Sequence, residues 1–173
     1  METRLKLVGV INFTPTNKTK KHHGQAPWKK IAMVMLDGDI CEYYSWFLNR
    51  RYNLVLNKPL RRAHISFIND SIRDLSKNGT LSESEVEVLW EKTMNKWDGK
   101  EVEIILDLNP KTDGKHVWLD IPHSERGELQ SIRDELGLGR PYYGMHMTIG
   151  TPHPLYQGHL NYLHEMIKDG FIT

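Results

Sequence analysis

The sequence predicts an α+β fold, and three observations carry that prediction. Apolar runs with strand patterning recur at residues 5–13, 31–36, 63–68, 102–108, 116–121 and 145–151, and between them lie stretches whose apolar residues follow helical spacing. Strand–helix units stand on both sides of a crossover in the middle of the chain, as an internal duplication requires. At 173 residues, 39% hydrophobic and 26% charged, the chain can bury one substantial core but is short for two independent ones. One domain spanning residues 1–173 is the expectation.

Leu5 to Phe13 is rich in β-branched and apolar residues and ends at Thr14-Pro15, so it reads as a first strand. Residues 14–27 are polar, with Lys18, Lys20, Lys21, His22 and His23 ahead of Gly24 and Pro27, and read as a long loop. Ile31 to Leu36 is an unbroken apolar run, consistent with a buried second strand. Asp37-Gly38 breaks it. Asp39 with Glu42 makes a capping-box-like start for a helix through about Arg51, with Ile40, Tyr43, Tyr44, Phe47 and Leu48 at helical spacing. A strand from Ala63 to Ile68 follows. After the turn-like Ser76-Lys77-Asn78-Gly79, Ser82 with Glu85 opens a helix to about Trp97, whose Val86, Leu89, Trp90 and Met94 form one apolar stripe. Val102 to Leu108 and His116 to Ile121, joined by residues 109–114, read as a hairpin. Ser124 to Leu136 is a helix, Met145 to Thr151 a strand, and Leu155 to Lys168 a closing helix.

Two of these strands carry the clue to function. His64-Ile65-Ser66-Phe67 and His146-Met147-Thr148-Ile149 repeat one pattern 82 positions apart: His, apolar, Ser or Thr, apolar. Side chains alternate along a strand, so His64 and Ser66 share one face while Ile65 and Phe67 enter a core. His146 and Thr148 do the same against Met147 and Ile149. Each strand then offers a proton carrier beside a neutral hydrogen-bond donor, a pairing suited to an anionic oxygen. A single His-x-Ser/Thr is weak evidence, since histidines often occupy strands for packing alone. Two copies, each after a basic or aromatic lead-in (Arg61-Arg62; Arg140-Pro141-Tyr142-Tyr143), point to function.

With both copies, the chain resembles the 2H phosphoesterases, also called LigT-like phosphodiesterases, whose hallmark is two His-x-Ser/Thr-apolar motifs, one in each half. Ser66 stands where Thr is more usual, which keeps the hydroxyl. The resemblance covers the layout from about residue 4 to 165, with specificity in the eight motif residues. It implies a bilobal fold of two antiparallel sheets facing a central groove, with helices outside. The lobe with the first motif would span about 28–97 and the second about 100–173, the N-terminal strand 5–13 completing a sheet. It implies catalytic roles for His64, Ser66, His146 and Thr148, no metal and no cofactor. It also implies nucleotide phosphodiester substrates: cyclic oligonucleotide immune signals, as in small phage and viral members, or 2′,3′-cyclic-phosphate and 2′,5′-linked RNA ends.

The chemistry needs two histidines. A hydroxyl or water attacking phosphorus must lose a proton while the leaving oxygen gains one, and an imidazole pair can do both near neutral pH. Which histidine takes which role is not fixed by the sequence. Ser66 and Thr148 would donate to the non-bridging oxygens. Around them, Tyr142 and Tyr143 are candidates to stack on a nucleobase or to pack between lobes, and Trp118 to stack on a base or fill the core. Arg62 and Arg140 could neutralise phosphate from the rim, surface solvation being the simpler reading. Lys20, Lys21 and His22 could form a lid that touches phosphate. His22 and His23 otherwise read as solvated loop residues. His153, His159 and His164 lack the spacing of a zinc helix and read as surface residues.

The formal charge of +1 argues against coating duplex DNA and favours a compact substrate in a groove, small cyclic or short oligonucleotides before RNA ends. Cys41 is the one cysteine, among apolar neighbours, and reads as a packed small hydrophobe in a reducing compartment. With no apolar run long enough for a signal or a membrane span, the expected location is the cytoplasm, the host's if the protein is viral, without membrane or obligate protein partner. Two rival functions belong to other classes. A binding module would retain nucleotide without product, and a metal-dependent phosphohydrolase built on Asp37, Asp39 or Asp120 would be chelator-sensitive. No Walker-type loop is present.

Overall fold

The computed structural model describes residues 3–13, 15, 29–59, 61–77, 79–142, 144–153 and 161–171, without the side chains of 161–164. Its strands are β1 (Arg4–Asn12), β2 (Lys29–Met35), β3 (Leu56–Asn57), β4 (His64–Ser71), β5 (Glu101–Asp107), β6 (Lys111–Thr112), β7 (Val117–Asp120) and β8 (His146–Pro152). The helices are α1 (Asp39–Tyr52), α2 (Ile72–Leu75), α3 (Glu83–Trp97), α4 (Gly127–Glu135) and α5 (Asn161–Lys168). The α+β expectation holds. None of the described helices is long and apolar enough to cross a membrane.

The strands form one antiparallel sheet in the order β5-β1-β2-β4-β8-β7-β6, with β3 also on β8. Two separate facing sheets were expected. Instead β4 and β8, the two motif strands, are adjacent and paired through Ile65 and Met147. The expected hairpin between residues 102–108 and 116–121 is also corrected: β5 lies at the far end of the sheet on β1, over seven register pairs from Arg4↔Asp107 to Val10↔Glu101. The Asp107 carboxylate accepts from the Asn109 backbone N–H and Pro110 has none to donate, so the strand stops and the chain turns away. The hairpin that forms is β6–β7. Consequently β5 joins the first-motif side of the sheet and β3 the second, so the division at about residue 100 does not follow the strands.

Local signals explain most helix ends. Ser82 and Glu85 form the expected reciprocal capping box on α3, and Ser71 with Asp74 forms another on α2, a short helix the sequence reading did not anticipate. At α1 the expected box is absent: Gly38 is the N-cap with no side-chain bond, and Asp39 is already helical, where its charge suits the helix dipole. The helix expected from Ser124 begins at Gly127, because residues 123–125 form a tighter 3-10 turn after Pro122. The closing helix is described from Asn161, its expected first residues lying outside the described ones.

One hydrophobic cluster joins the two halves. Ile65 and Phe67 of β4, Met147 and Ile149 of β8, and Val117 and Leu119 of β7 meet Cys41, Tyr44 and Leu48 of α1, Val86 and Trp90 of α3, and Leu129 and Ile132 of α4. Arg133 of α4 enters this layer at 2% exposure and is fully bonded: its guanidinium donates to the Phe67 carbonyl (2.8 Å), to both Asp70 carboxylate oxygens (2.7 and 3.1 Å) and to the Gly139 carbonyl (2.8 Å). This pins α4 to the first motif strand. Close backbone approach marks the other motif strand, where a Cβ on Gly150 would sit 2.5 Å from the Asn57 carbonyl oxygen of β3.

Candidate active site

The Ile65↔Met147 pair fixes the antiparallel register of β4 and β8, so His64 stands opposite Thr148 and Ser66 opposite His146. All four side chains project from the face opposite the core, and all four residues are half-buried. Directly opposed residues bring their Cβ atoms to about 5 Å and diagonal neighbours to roughly 7–8 Å. Each histidine therefore faces the other motif's hydroxyl, and the two imidazoles lie across the diagonal of a four-residue rectangle.

Neighbouring strands extend this face through their registers. Met35 pairs with His64, Met33 with Ser66, Trp118 with Thr148 and Asp120 with His146. Beyond Met35 lies Val10 of β1, and beyond Trp118 lies Lys111 of β6. The polar rectangle thus has an apolar shelf on one flank and an indole on the other. Val8 and Val10 are exposed, at 62% and 42%.

Hydrogen bonds orient the reactive groups. His64 Nδ1 lies 2.7 Å from the Arg62 carbonyl oxygen, which can only accept, so Nδ1 carries a proton and Nε2 is the nitrogen that exchanges one. The Trp118 ring centroid is 6.0 Å from that of His146 at 55°, and its indole N–H donates to Asp120 at 2.9 Å. Asp120 also pairs with Lys111 at 2.6 Å. The carboxylate beside His146 is thereby held and partly neutralised.

Beneath Thr148, the Cys41 thiol points to the Thr148 backbone carbonyl at 3.7 Å, and burial with the neighbouring Glu42 pushes its pKa up to about 11. A thiol so protonated packs and does not attack, as its sequence context suggested. A cavity of about 100 Å³, its lining including Gly38, Cys41, Glu42, Ser45, Arg61 and Ile149, also reaches this region; Cys41 and Ile149 are core residues, so its floor is the helix side of β8.

The other expected contributors are placed as follows. Trp118 is in the site. Arg62 is exposed and contributes its carbonyl to His64, which no side-chain pattern announces. Arg140 is exposed, and Tyr142 is 92% exposed. Tyr143, Lys20, Lys21, His22, His23 and His159 lie outside the described residues, as does the side chain of His164. His153 follows β8, its backbone N–H bonded to Val55. His116 precedes β7, and its Nδ1 lies 3.3 Å from the Asp113 carboxylate of the turn. Among the described residues, no three or more of His, Cys, Asp and Glu are grouped to hold a metal ion. The sequence reading does not find Met33 and Met35, and it names Asp120 only for the rival metal-dependent chemistry. The unbroken apolar run of β2 hid which of its residues face the site, whereas Asp120 was visible in the alternation of β7.

No family model, curated protein or solved structure matches the chain.

Proposed function

We propose that the protein is a metal-independent phosphodiesterase of the 2H type, acting on nucleotide phosphodiester bonds, with cyclic oligonucleotides as its substrates. The observation that carries this reading is the antiparallel seam on which His64 faces Thr148 and Ser66 faces His146. A phosphate centred on the rectangle has one imidazole on either side and one hydroxyl near each non-bridging oxygen. One histidine removes the proton from the attacking hydroxyl or water as its oxygen bonds phosphorus. The other protonates the leaving oxygen as its bond to phosphorus breaks. Ser66 and Thr148 stabilise the charge that builds on the equatorial oxygens. An attacking 2′-OH on the same substrate adds the advantage of proximity.

Two motif strands side by side at the centre of the sheet, with strands continuing outward on either flank, support a LigT-like arrangement of two pseudo-equivalent halves. The Trp118 flank and the Met35–Val10 shelf favour a compact substrate with a base on each side of the reacting phosphate. The test is incubation in chelator with cyclic di- and trinucleotides, 2′,5′-oligoadenylate and RNA bearing a 2′,3′-cyclic phosphate, with products identified by mass. Turnover of a cyclic oligonucleotide is expected, lost in both His64→Ala and His146→Ala while the proteins stay folded. Activity within tenfold of wild type in either variant, or turnover that chelator abolishes, refutes the proposal.

A further inference from the structure

The segment from Asn57 to His64 joins two strands that pair with the same neighbour. Continuing the β3–β8 register, Leu56↔Pro152 and Asn57↔Thr151, would bring residue 61 opposite Met147; Ile65 stands there instead, so the chain carries four extra residues at this point. The excess turns Arg61 inward. Its Nη1 meets the Met33 thioether at 3.4 Å, a weak acceptor, and its Nε is buried with no hydrogen-bond partner among the described residues. Arg133, by contrast, donates to three carboxylate or carbonyl groups. Burial also draws the Arg61 pKa down. A buried guanidinium N–H without an acceptor destabilises a fold, and an oxyanion laid against the planar fork would relieve that cost.

Its position says which oxyanion. Met33 is 2% exposed yet outside the core cluster, and it is the register partner of Ser66 on the histidine face. Strands lie about 4.8 Å apart, so Met33 on β2 stands about 7 Å from the β4–β8 seam, and Arg61, held against Met33, flanks that seam. We propose that Arg61 binds a second phosphate of the substrate, the one next in line to the phosphate between His64 and His146. The inference rests on the phosphodiesterase reading of that seam and narrows it: the substrate class is one with at least two phosphates, a cyclic or terminally phosphorylated oligonucleotide, and not a nucleoside 2′,3′-cyclic monophosphate.

The test is calorimetric binding, in chelator, of ApA in 3′,5′ and 2′,5′ linkage and of the same dinucleotides with a terminal 5′- or 3′-phosphate, to wild type, Arg61→Met and Arg61→Lys. Wild type is expected to bind one phosphorylated form roughly 10- to 100-fold more tightly than its unphosphorylated parent. Arg61→Met should lose that preference while binding ApA as wild type does, and Arg61→Lys should keep part of it. The melting temperature of Arg61→Met should equal or exceed that of wild type, which a residue retained for structure would not show. Equal affinity for phosphorylated and plain forms in wild type, or a preference that survives Arg61→Met, overturns the assignment of Arg61 and leaves the phosphodiesterase reading standing. An equal loss of ApA binding in Arg61→Met places Arg61 on the central phosphate and also overturns it. Failure of wild type to bind any of these dinucleotides removes the site reading itself, and this proposal with it.

Discussion

Replacing Arg133 with methionine tests whether the first motif strand is held by its bond to α4. The substitution keeps most of the aliphatic volume but removes every donor to the Phe67 carbonyl, the Asp70 carboxylate and the Gly139 carbonyl. Deleting one partner of a buried ion pair costs about 3–5 kcal/mol, because the other is left uncompensated. The Asp70 side chain keeps 20% exposure and so recovers some hydration, which places the loss near the low end, about 3 kcal/mol. For a chain of this length each kcal/mol moves the melting temperature by about 2–4 °C, so a fall of about 6–12 °C is expected by calorimetry at pH 7. Asp70→Asn in the same background should cost less than it does alone, since the charge it removes is already unpaired. A fall below 2 °C, or strict additivity of the two changes, would refute the view that this ion pair fastens β4.

Thr148→Val holds volume and β-branching while removing one donor, and should lower turnover by about 10²–10³-fold with an unchanged melting temperature; Ser66→Thr should keep most activity. The pH–rate profile should be a bell, because one imidazole must be neutral and the other protonated in the same molecule, and a rate that still climbs at pH 9 would contradict the pair where chemistry limits turnover. Glu135 is held below its usual range chiefly by the Lys96 ammonium, with the Trp97 indole N–H adding to it, against a smaller opposing effect of burial. A depressed carboxylate contributes stability above its unfolded pKa of about 4.5 and loses it as pH falls further. Glu135→Gln should therefore melt below wild type at pH 6, with the gap closing as pH drops under 4.5.

Much of this was legible because alternation and capping are local. The His-x-Ser/Thr strands, the α3 capping box and the faces of Trp118 and Asp120 follow from short-range rules that the sequence states outright. The partner of each strand does not. Residues 102–108 satisfy a hairpin pattern as well as they satisfy β1, and only the seven-pair register with β1, far earlier in the chain, decides between them. Arg61 and Arg62 are equivalent as letters; four residues of excess chain decide which turns inward and which lends its carbonyl to His64. β2 hid its site-facing methionines because a strand with apolar residues on both faces has no period to read.

The segment between β3 and β4 also sets how such a protein can change. Its two ends are fastened to β8 in fixed register, so insertions and deletions ahead of Arg62 leave the β4–β8 seam where it is. Lengthening or shortening the span between Asn57 and Arg61 would move the guanidinium while Arg62 keeps its carbonyl on His64. On the proposed reading, preference among ligands can drift there by small steps in chain length while the histidine seam is inherited intact, which makes this stretch the natural place to retune the protein by loop grafting.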